Sequence, residues 1–130
     1  ISDFLDDQEE SSMNVRDVMQ ALDADLICGE ENLDTEVHDA CGSDMMSDVL
    51  AFIKKDALLL TGLNNLQVIR TAEMLDIVCL VFVRGKQPQP EMLQMAENLG
   101  ITVLTTEHTM FDACGILYHA GLRGGSRNDA

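Results

Sequence analysis

The chain has few basic residues. Only 8 Lys and Arg stand against 23 Asp and Glu among its 130 residues, so the formal net charge is -15. Nucleic-acid binding depends on clustered Lys and Arg that neutralise phosphates, and the same residues attract a protein to anionic membrane surfaces. The composition therefore argues against both kinds of partner.

We also expect no membrane span, no secretory signal and no paired cysteines. No apolar run approaches the roughly 20 residues of a spanning helix, and the amino terminus is acidic where a signal peptide is basic. Cys28, Cys41, Cys79 and Cys114 form no C-x-x-C pair, so neither a zinc site nor a disulfide framework is indicated. We expect a cytoplasmic protein with a single core.

Signatures of catalysis are missing as well. His38, His108 and His119 have no metal-binding spacing, no cysteine lies in an electropositive turn, and no Walker motif is present. We therefore predict no metal, no cofactor and no catalytic residue. The alternative is an enzyme that uses Glu107 or His108 as a general base.

Three continuous apolar runs dominate the second half of the chain. They cover 57–60, 77–83 and 101–104, and each leads into a short polar or glycine-bearing turn and then a helical pattern. Continuous apolar runs are typical of strands covered on both faces, and intervening helices favour right-handed βαβ units. We predict an α/β fold with three layers, α/β/α, around a mainly parallel sheet, within 13–122.

Helical periodicity accounts for most of the remaining apolar residues. The predicted helices are one capped by Asn14 that ends near Leu22, one capped by Ser43 that ends near Lys55, one over 65–76, one from Pro90 to the cap Gly100, and one capped by Thr109. The apolar residues expected to face inward are Met46, Val49, Leu50 and Ile53 in the second helix and Met110, Cys114, Leu117 and Tyr118 in the last.

The first half and the ends of the chain are less regular. Short strands are predicted at 26–28 and over 36–40. The acidic and serine-containing segment 1–12 is expected to be a disordered lead-in, and 123–130 a flexible tail.

Ligands of parallel α/β sheets bind at the carboxyl ends of the strands, where the predicted turns lie. In the turn 61–65, backbone N–H groups near Thr61, Gly62, Asn64 and Asn65 are candidates for holding a phosphate or a carboxylate. The alternative is an ordinary strand-to-helix turn with an Asn cap.

The turn after the third run has more functional groups. Thr105, Thr106, Glu107 and Thr109 bring three hydroxyls and a carboxylate between a buried strand and a helix, and they are candidate ligand-binding residues. The alternative is a capping box in which Thr106 to Thr109 form the cap region and Glu107 favours the helix dipole.

Gly42, Ser43 and Asp44 form another polar turn at a predicted helix start, with a simple cap as the alternative interpretation. Nearby, ten acidic residues and no Lys or Arg occur between Asp17 and Ile53. Such a run is usually a solvated face, and it is also a candidate surface for a basic protein partner.

Several segments together resemble the DRTGG domain, in particular its stand-alone bacterial versions. The resemblance covers 13–122, and its most specific pieces are Gly42 to Leu50 and the Thr-rich turn that leads into Met110 and Phe111. The chain departs from the family pattern at Asp34-Thr35, where Arg is expected second, and at Leu63, where a second Gly is expected. The segments that carry the resemblance are 15–22, 34–40, 41–50, 59–62 and 105–111.

The resemblance implies the α/β fold of the amino-terminal domains of HPr kinase/phosphorylase and MurF ligase. Family members occur alone, fused to CBS domains or ahead of phosphotransacetylase, which implies a regulatory module. We predict a non-catalytic, homodimeric sensor that binds a small anionic or nucleotide ligand at the three turns. The alternative is an interaction subunit that docks a basic partner through its acidic face.

Overall fold

A computed structural model describes residues 13–124. The predictions for 1–12 and for the end of the tail, 125–130, lie outside these residues. The strands are β1 (Met13–Asn14), β2 (Asp25–Cys28), β3 (Glu36–Val37), β4 (Asp39–Gly42), β5 (Ala57–Thr61), β6 (Cys79–Phe82) and β7 (Thr102–Thr105). The helices are α1 (Val15–Ala21), α2 (Met46–Phe52), α3 (Leu66–Leu75), α4 (Pro90–Leu99) and α5 (Met110–His119), with a 3-10 turn at Glu30–Asn32.

The main sheet has the strand order β2-β7-β6-β5-β4. The four strands β4 to β7 are parallel, and β2 runs antiparallel along the edge of β7. Every residue of β5, β6 and β7 is buried, as expected for strands covered on both faces. The predicted mainly parallel sheet is confirmed.

Helices cover both faces of this sheet, which confirms the three layers. On one face α1 and α5 pack through residues such as Val18 and Leu117 onto Leu58, Leu60 and Val81. On the other face α2, α3 and α4 contribute a second core, so the sheet divides the single core expected from the sequence into two. Successive side chains of a strand point to opposite faces, so β5 and β6 supply both cores.

Most helix ends follow their local sequence. Asn14 accepts a hydrogen bond from the backbone N–H of Asp17 and Thr109 from that of Asp112, as N-cap residues do. Gly100 ends α4 in the left-handed conformation that glycine adopts at little cost. The predicted caps Asn14, Thr109 and Gly100 are confirmed.

The start of α2 differs from the prediction. Ser43 does not cap the helix, because the helix begins at Met46 and the Ser43 hydroxyl accepts instead from the N–H of Met45 (2.9 Å). Leu50 is 46% exposed, so its predicted inward orientation is wrong. α2 buries Met46 and Val49, and the next residue lies about 100° further around the helix.

Tyr118, also expected to face inward, is 54% exposed for the same geometric reason, since it follows the buried Leu117.

The predicted strand over 36–40 is two strands. β3 pairs with β1 in a small antiparallel ribbon, and β4 joins the main sheet. Between them His38 donates its N–H to the carbonyl of Asp56 (3.0 Å), outside either ladder. Within 13–124, no helix has the length and apolar content needed to cross a membrane.

Candidate functional site

The carboxyl ends of β4, β5, β6 and β7 meet at one edge of the sheet because these strands are parallel neighbours. The structure therefore brings together the three polar turns singled out in the sequence, 42–44, 61–65 and 105–109. A fourth turn, 83–86, lies between the last two because it follows β6, which is the strand between β5 and β7.

Asp44 joins the turn after β4 to the turn after β5. Its Oδ1 accepts hydrogen bonds from the Thr61 hydroxyl (3.0 Å) and from the Gly62 N–H (2.7 Å). The Thr61 hydroxyl in turn accepts from the Leu63 N–H (3.1 Å), and Thr61 is fully buried. Thr61 and Gly62 are thus buried and hydrogen-bonded to Asp44.

The two asparagines of the second turn also make internal contacts. Asn64 donates to the carbonyl of Gln87 (3.0 Å) and accepts from the N–H of Gln89 (3.3 Å), which ties this turn to the loop after β6. Asn65 is the N-cap of α3 and accepts from the N–H of Gln67. The alternative interpretation of Asn65 as a cap is thus what the structure shows.

The hydroxyls of Thr105 and Thr106 are buried and hydrogen-bonded. Thr105 donates to the carbonyl of Lys86 (2.8 Å), and Thr106 donates to the carbonyl of Leu22 at the end of α1 (2.8 Å). Both residues are at most 4% exposed. Their side chains hold neighbouring segments against β7.

The turn 83–86 is fixed by backbone bonds to the same region. Arg84 donates its N–H to the carbonyl of His108, and Gly85 donates to that of Thr106, both at 2.8 Å. Arg84 and Gly85 have φ values of 59° and 67°, a left-handed conformation that is unusual for arginine. Glu107 is exposed and lies over this turn, where a Cβ added to Gly85 would be 2.9 Å from its Oε1.

An open cleft of about 470 Å³ lies among these turns. Four of the predicted ligand-binding residues line it: Gly42, Ser43, Asp44 and Thr109. The other seven do not line it: Thr61, Gly62, Asn64, Asn65, Thr105, Thr106 and Glu107. A role of any of these eleven in ligand binding stays a prediction.

Arg84 and Phe111 also line the cleft, together with Val83 and Met110. The sequence reasoning did not select Arg84 or Phe111. The signal for Arg84 was present, since it follows the central apolar run just as Thr61 follows the first. Phe111 was placed in the last predicted helix, at the end of a segment that carries the family resemblance, but it was not given a role in binding.

The Arg84 guanidinium has no carboxylate within 4.0 Å among residues 13–124. Its Nη2 and the Asp44 carboxylate flank Gly62, where an added Cβ would be 2.9 Å from Nη2 and 3.6 Å from Oδ2. Gly62 therefore leaves the space that the guanidinium occupies. The cleft combines a cation that is available to a ligand with a carboxylate that is already hydrogen-bonded.

The structure offers little for metal or thiolate chemistry. No group of three or more His, Cys, Asp or Glu side chains in the described part of the chain is placed to hold a metal ion. Burial raises the pKa of Cys28, Cys41, Cys79 and Cys114, so these thiols are protonated at neutral pH. A protonated thiol is a poor nucleophile.

The fold and the cleft together define a three-layer α/β domain with a ligand-sized opening at the carboxyl ends of parallel strands. The family model of the DRTGG domain matches residues 17–120. The chain belongs to the DRTGG domain family, as its sequence pattern indicated.

A solved structure has the same fold. It is the crystal structure of the CBS and DRTGG domains of the regulatory region of Clostridium perfringens pyrophosphatase, complexed with the activator diadenosine tetraphosphate. The TM-score is 0.70 at 19% identity, and the match covers 87% of this chain. The chain spans about half of that one, 49% of its length. No curated protein sequence matches this chain significantly.

Proposed function

We propose that this chain is a non-catalytic regulatory module that binds a small anionic or nucleotide ligand in the cleft at the carboxyl ends of the strands. The observation that carries the proposal is Arg84, a cation on the cleft wall with no carboxylate partner within residues 13–124. Arginine presents a rigid fork of N–H donors that matches carboxylate and phosphate oxygens.

The size of the cleft supports this proposal. Its volume of about 470 Å³ lies within the roughly 300–1,000 Å³ of small-molecule sites. The related pyrophosphatase region, which contains a DRTGG domain, is complexed with a nucleotide activator. We transfer from it only the general role, regulation through a bound ligand.

A ligand in this cleft would contact two turns that the protein itself links through Thr61 and Gly62, which lie between them. Ser43 and Asp44 stand on the side of β4, and Arg84 stands on the side of β6. A ligand that bridges them stabilises one relative position of α2 and the turn 83–86. By stabilising this arrangement, the bound ligand would change the population of the conformation that a partner protein binds.

Thermal melting tests the proposal. The purified protein is titrated with adenine nucleotides, nucleotide second messengers, acetyl phosphate and inorganic phosphate. A ligand at about 100 times its dissociation constant adds roughly 2.7 kcal/mol of stability, which raises Tm by several degrees. Arg84→Gln should remove the rise, and Arg70→Gln, on the exposed surface of α3, should retain it. A flat response to the whole panel would contradict the proposal.

The acidic surface supports a second candidate, an interaction subunit with a basic protein partner. Of the ten acidic residues between Asp17 and Ile53, all except Asp39 are exposed. Association that weakens steeply with salt, without any ligand-induced rise in Tm, would favour this function. A homodimeric state and a cytoplasmic location stay predictions, and sedimentation tests the first.

A further inference from the structure

We propose that the cleft selects nucleotides over simple anions, with Arg84 holding a phosphate and Phe111 stacking on the base. This inference rests on the proposed function and specifies its ligand class. It depends on three observations: the exposure of Phe111, the two open spaces that it borders, and the balance of charge around Arg84.

Phe111 is 85% exposed, the most exposed large apolar side chain within residues 13–124. It is the second residue of α5, and its neighbour Met110 is partly buried against the core. The packing of α5 uses Ala113 and Leu117 and does not involve the Phe111 ring. An exposed aromatic ring on the wall of a cleft gives a flat apolar surface to a ligand.

Phe111 borders two open spaces. The first is the cleft that Arg84 lines, and the second is a hollow of about 520 Å³ along α5, bordered also by His108, Asp112, Gly115, Ile116 and His119. Gly115 has no heavy atom within 4 Å of the position of an added Cβ, so the helix surface there is flat and open. A ligand anchored at Arg84 can extend across Phe111 into this hollow.

The charges around the cleft disfavour a ligand that is only an anion. Arg84 is the one Lys or Arg among the residues that line the cleft, Asp44 lines it as well, and the Glu107 carboxylate lies over Gly85. Asp112 adds a further carboxylate beside the hollow. The whole chain carries a formal charge of -15. A small polyanion gains one cation and faces the carboxylates of Asp44, Glu107 and Asp112, so apolar contact must supply part of its affinity. A base stacked on an aromatic ring supplies such contact without requiring a particular base.

Matched ligands test this assignment. Isothermal titration compares the four ribonucleoside 5′-monophosphates with ribose 5-phosphate, which lacks the base, and with inorganic phosphate. We expect at least one nucleotide to bind about tenfold or more tightly than ribose 5-phosphate. Phe111→Ala should remove this difference and leave the affinity for ribose 5-phosphate unchanged, whereas Arg84→Gln should weaken binding of every phosphate probe.

Two control variants match these changes at other places. Phe52→Ala removes a 56% exposed ring at the far end of α2, and Arg70→Gln removes an exposed cation from α3. Both should bind the nucleotides as the unchanged protein does. Circular dichroism and Tm establish that all four variants are folded.

The outcomes separate the two proposals. Equal affinity for nucleotides and ribose 5-phosphate, or nucleotide binding that survives Phe111→Ala, overturns the nucleotide assignment and leaves the proposed function standing. Binding of acetyl phosphate or inorganic phosphate without any nucleotide has the same meaning. If neither these probes nor the wider melting panel binds, the proposed function fails together with the assignment.

Discussion

The buried threonines at the strand ends and the exposed residues on the cleft wall lie at the same edge of the sheet, and their side chains have different roles. Thr61, Thr105 and Thr106 are buried, and each hydroxyl donates a hydrogen bond within the protein. Arg84 and Phe111 are exposed on the cleft wall, and Arg84 forms no ion pair within 13–124. The first group fixes the turns in place, and the second is available to a ligand.

This contrast separates polar residues that build a site from residues that face its opening. Threonine hydroxyls in a turn suggest a binding site when only the sequence is considered. A buried hydroxyl, however, needs a hydrogen-bond partner, which is usually a backbone group. A long cation with a flexible stem extends into solvent more readily. The contrast therefore makes different predictions for stability and for binding.

Thr106→Val has the largest expected effect on stability. It removes the hydroxyl that donates to the Leu22 carbonyl and accepts from the His108 N–H at 3.4 Å. Leaving these buried groups without a partner costs about 1–3 kcal/mol of the free energy of unfolding. Urea denaturation measures this loss.

Thr106→Ser is the matched control because it keeps the hydroxyl and loses only a methyl group. It should retain more of the stability than Thr106→Val. Equal losses in the two variants would show that packing of the methyl group, and not the hydrogen bond, holds α1 to this turn.

Asp44→Asn is expected to change the affinity for a ligand, and the size of this effect is intermediate among the predictions. Asparagine keeps an oxygen that can accept from Thr61 and Gly62 but removes a negative charge from the cleft wall. An anionic ligand should therefore bind more tightly, by about three- to tenfold at low salt, and the gain should shrink as salt is added. Titration calorimetry at two salt concentrations measures it.

Asp48→Asn serves as the control for overall charge, since Asp48 is exposed on α2 and does not line the cleft. It should change the affinity little. Unchanged affinity in Asp44→Asn would place the anion away from this wall.

Gly62→Ala has the smallest effect on folding. Its added methyl carbon would meet Arg84 Nη2 at 2.9 Å, and this is the end of a flexible side chain that can move away. We expect stability to change by less than about 1 kcal/mol, while displacement of the guanidinium weakens phosphate binding. Gly115→Ala is the comparison variant for an added methyl group with open space around it, and because it lies inside α5 it should raise stability by about 0.5–1 kcal/mol. A large loss of stability in Gly62→Ala would show that the Arg84 side chain is held rigidly.

Much of the fold could be predicted because a strand that is buried on both faces has a continuous apolar sequence. The apolar runs that became β5, β6 and β7 have no alternating polar residues. The predictions were wrong where the sequence pattern was short or fitted two interpretations. Ser43 precedes a helical pattern closely enough to suggest a cap, yet Asp44 and Met45 lie between it and the helix.

The candidate site was predictable in position but less so in composition. The strand order that places 42–44, 61–65 and 105–109 at one edge follows from parallel βαβ units. The hydrogen bonds of Thr105 to Lys86 and of Thr106 to Leu22 join residues 19 and 84 positions apart. No local pattern signals such partners.

The sequence by itself determined the class of fold, the edge of the sheet where ligands bind in such folds, and the family, because these depend on periodicity and on short motifs. Only the tertiary structure decided which side chains at that edge remain available. That choice depends on partners distant in the chain: Asp44 binds Thr61 and Gly62, whereas Arg84 finds no carboxylate within 4.0 Å in the described residues. A polar group at this edge is available to a ligand only if no neighbouring residue already forms a hydrogen bond or ion pair with it.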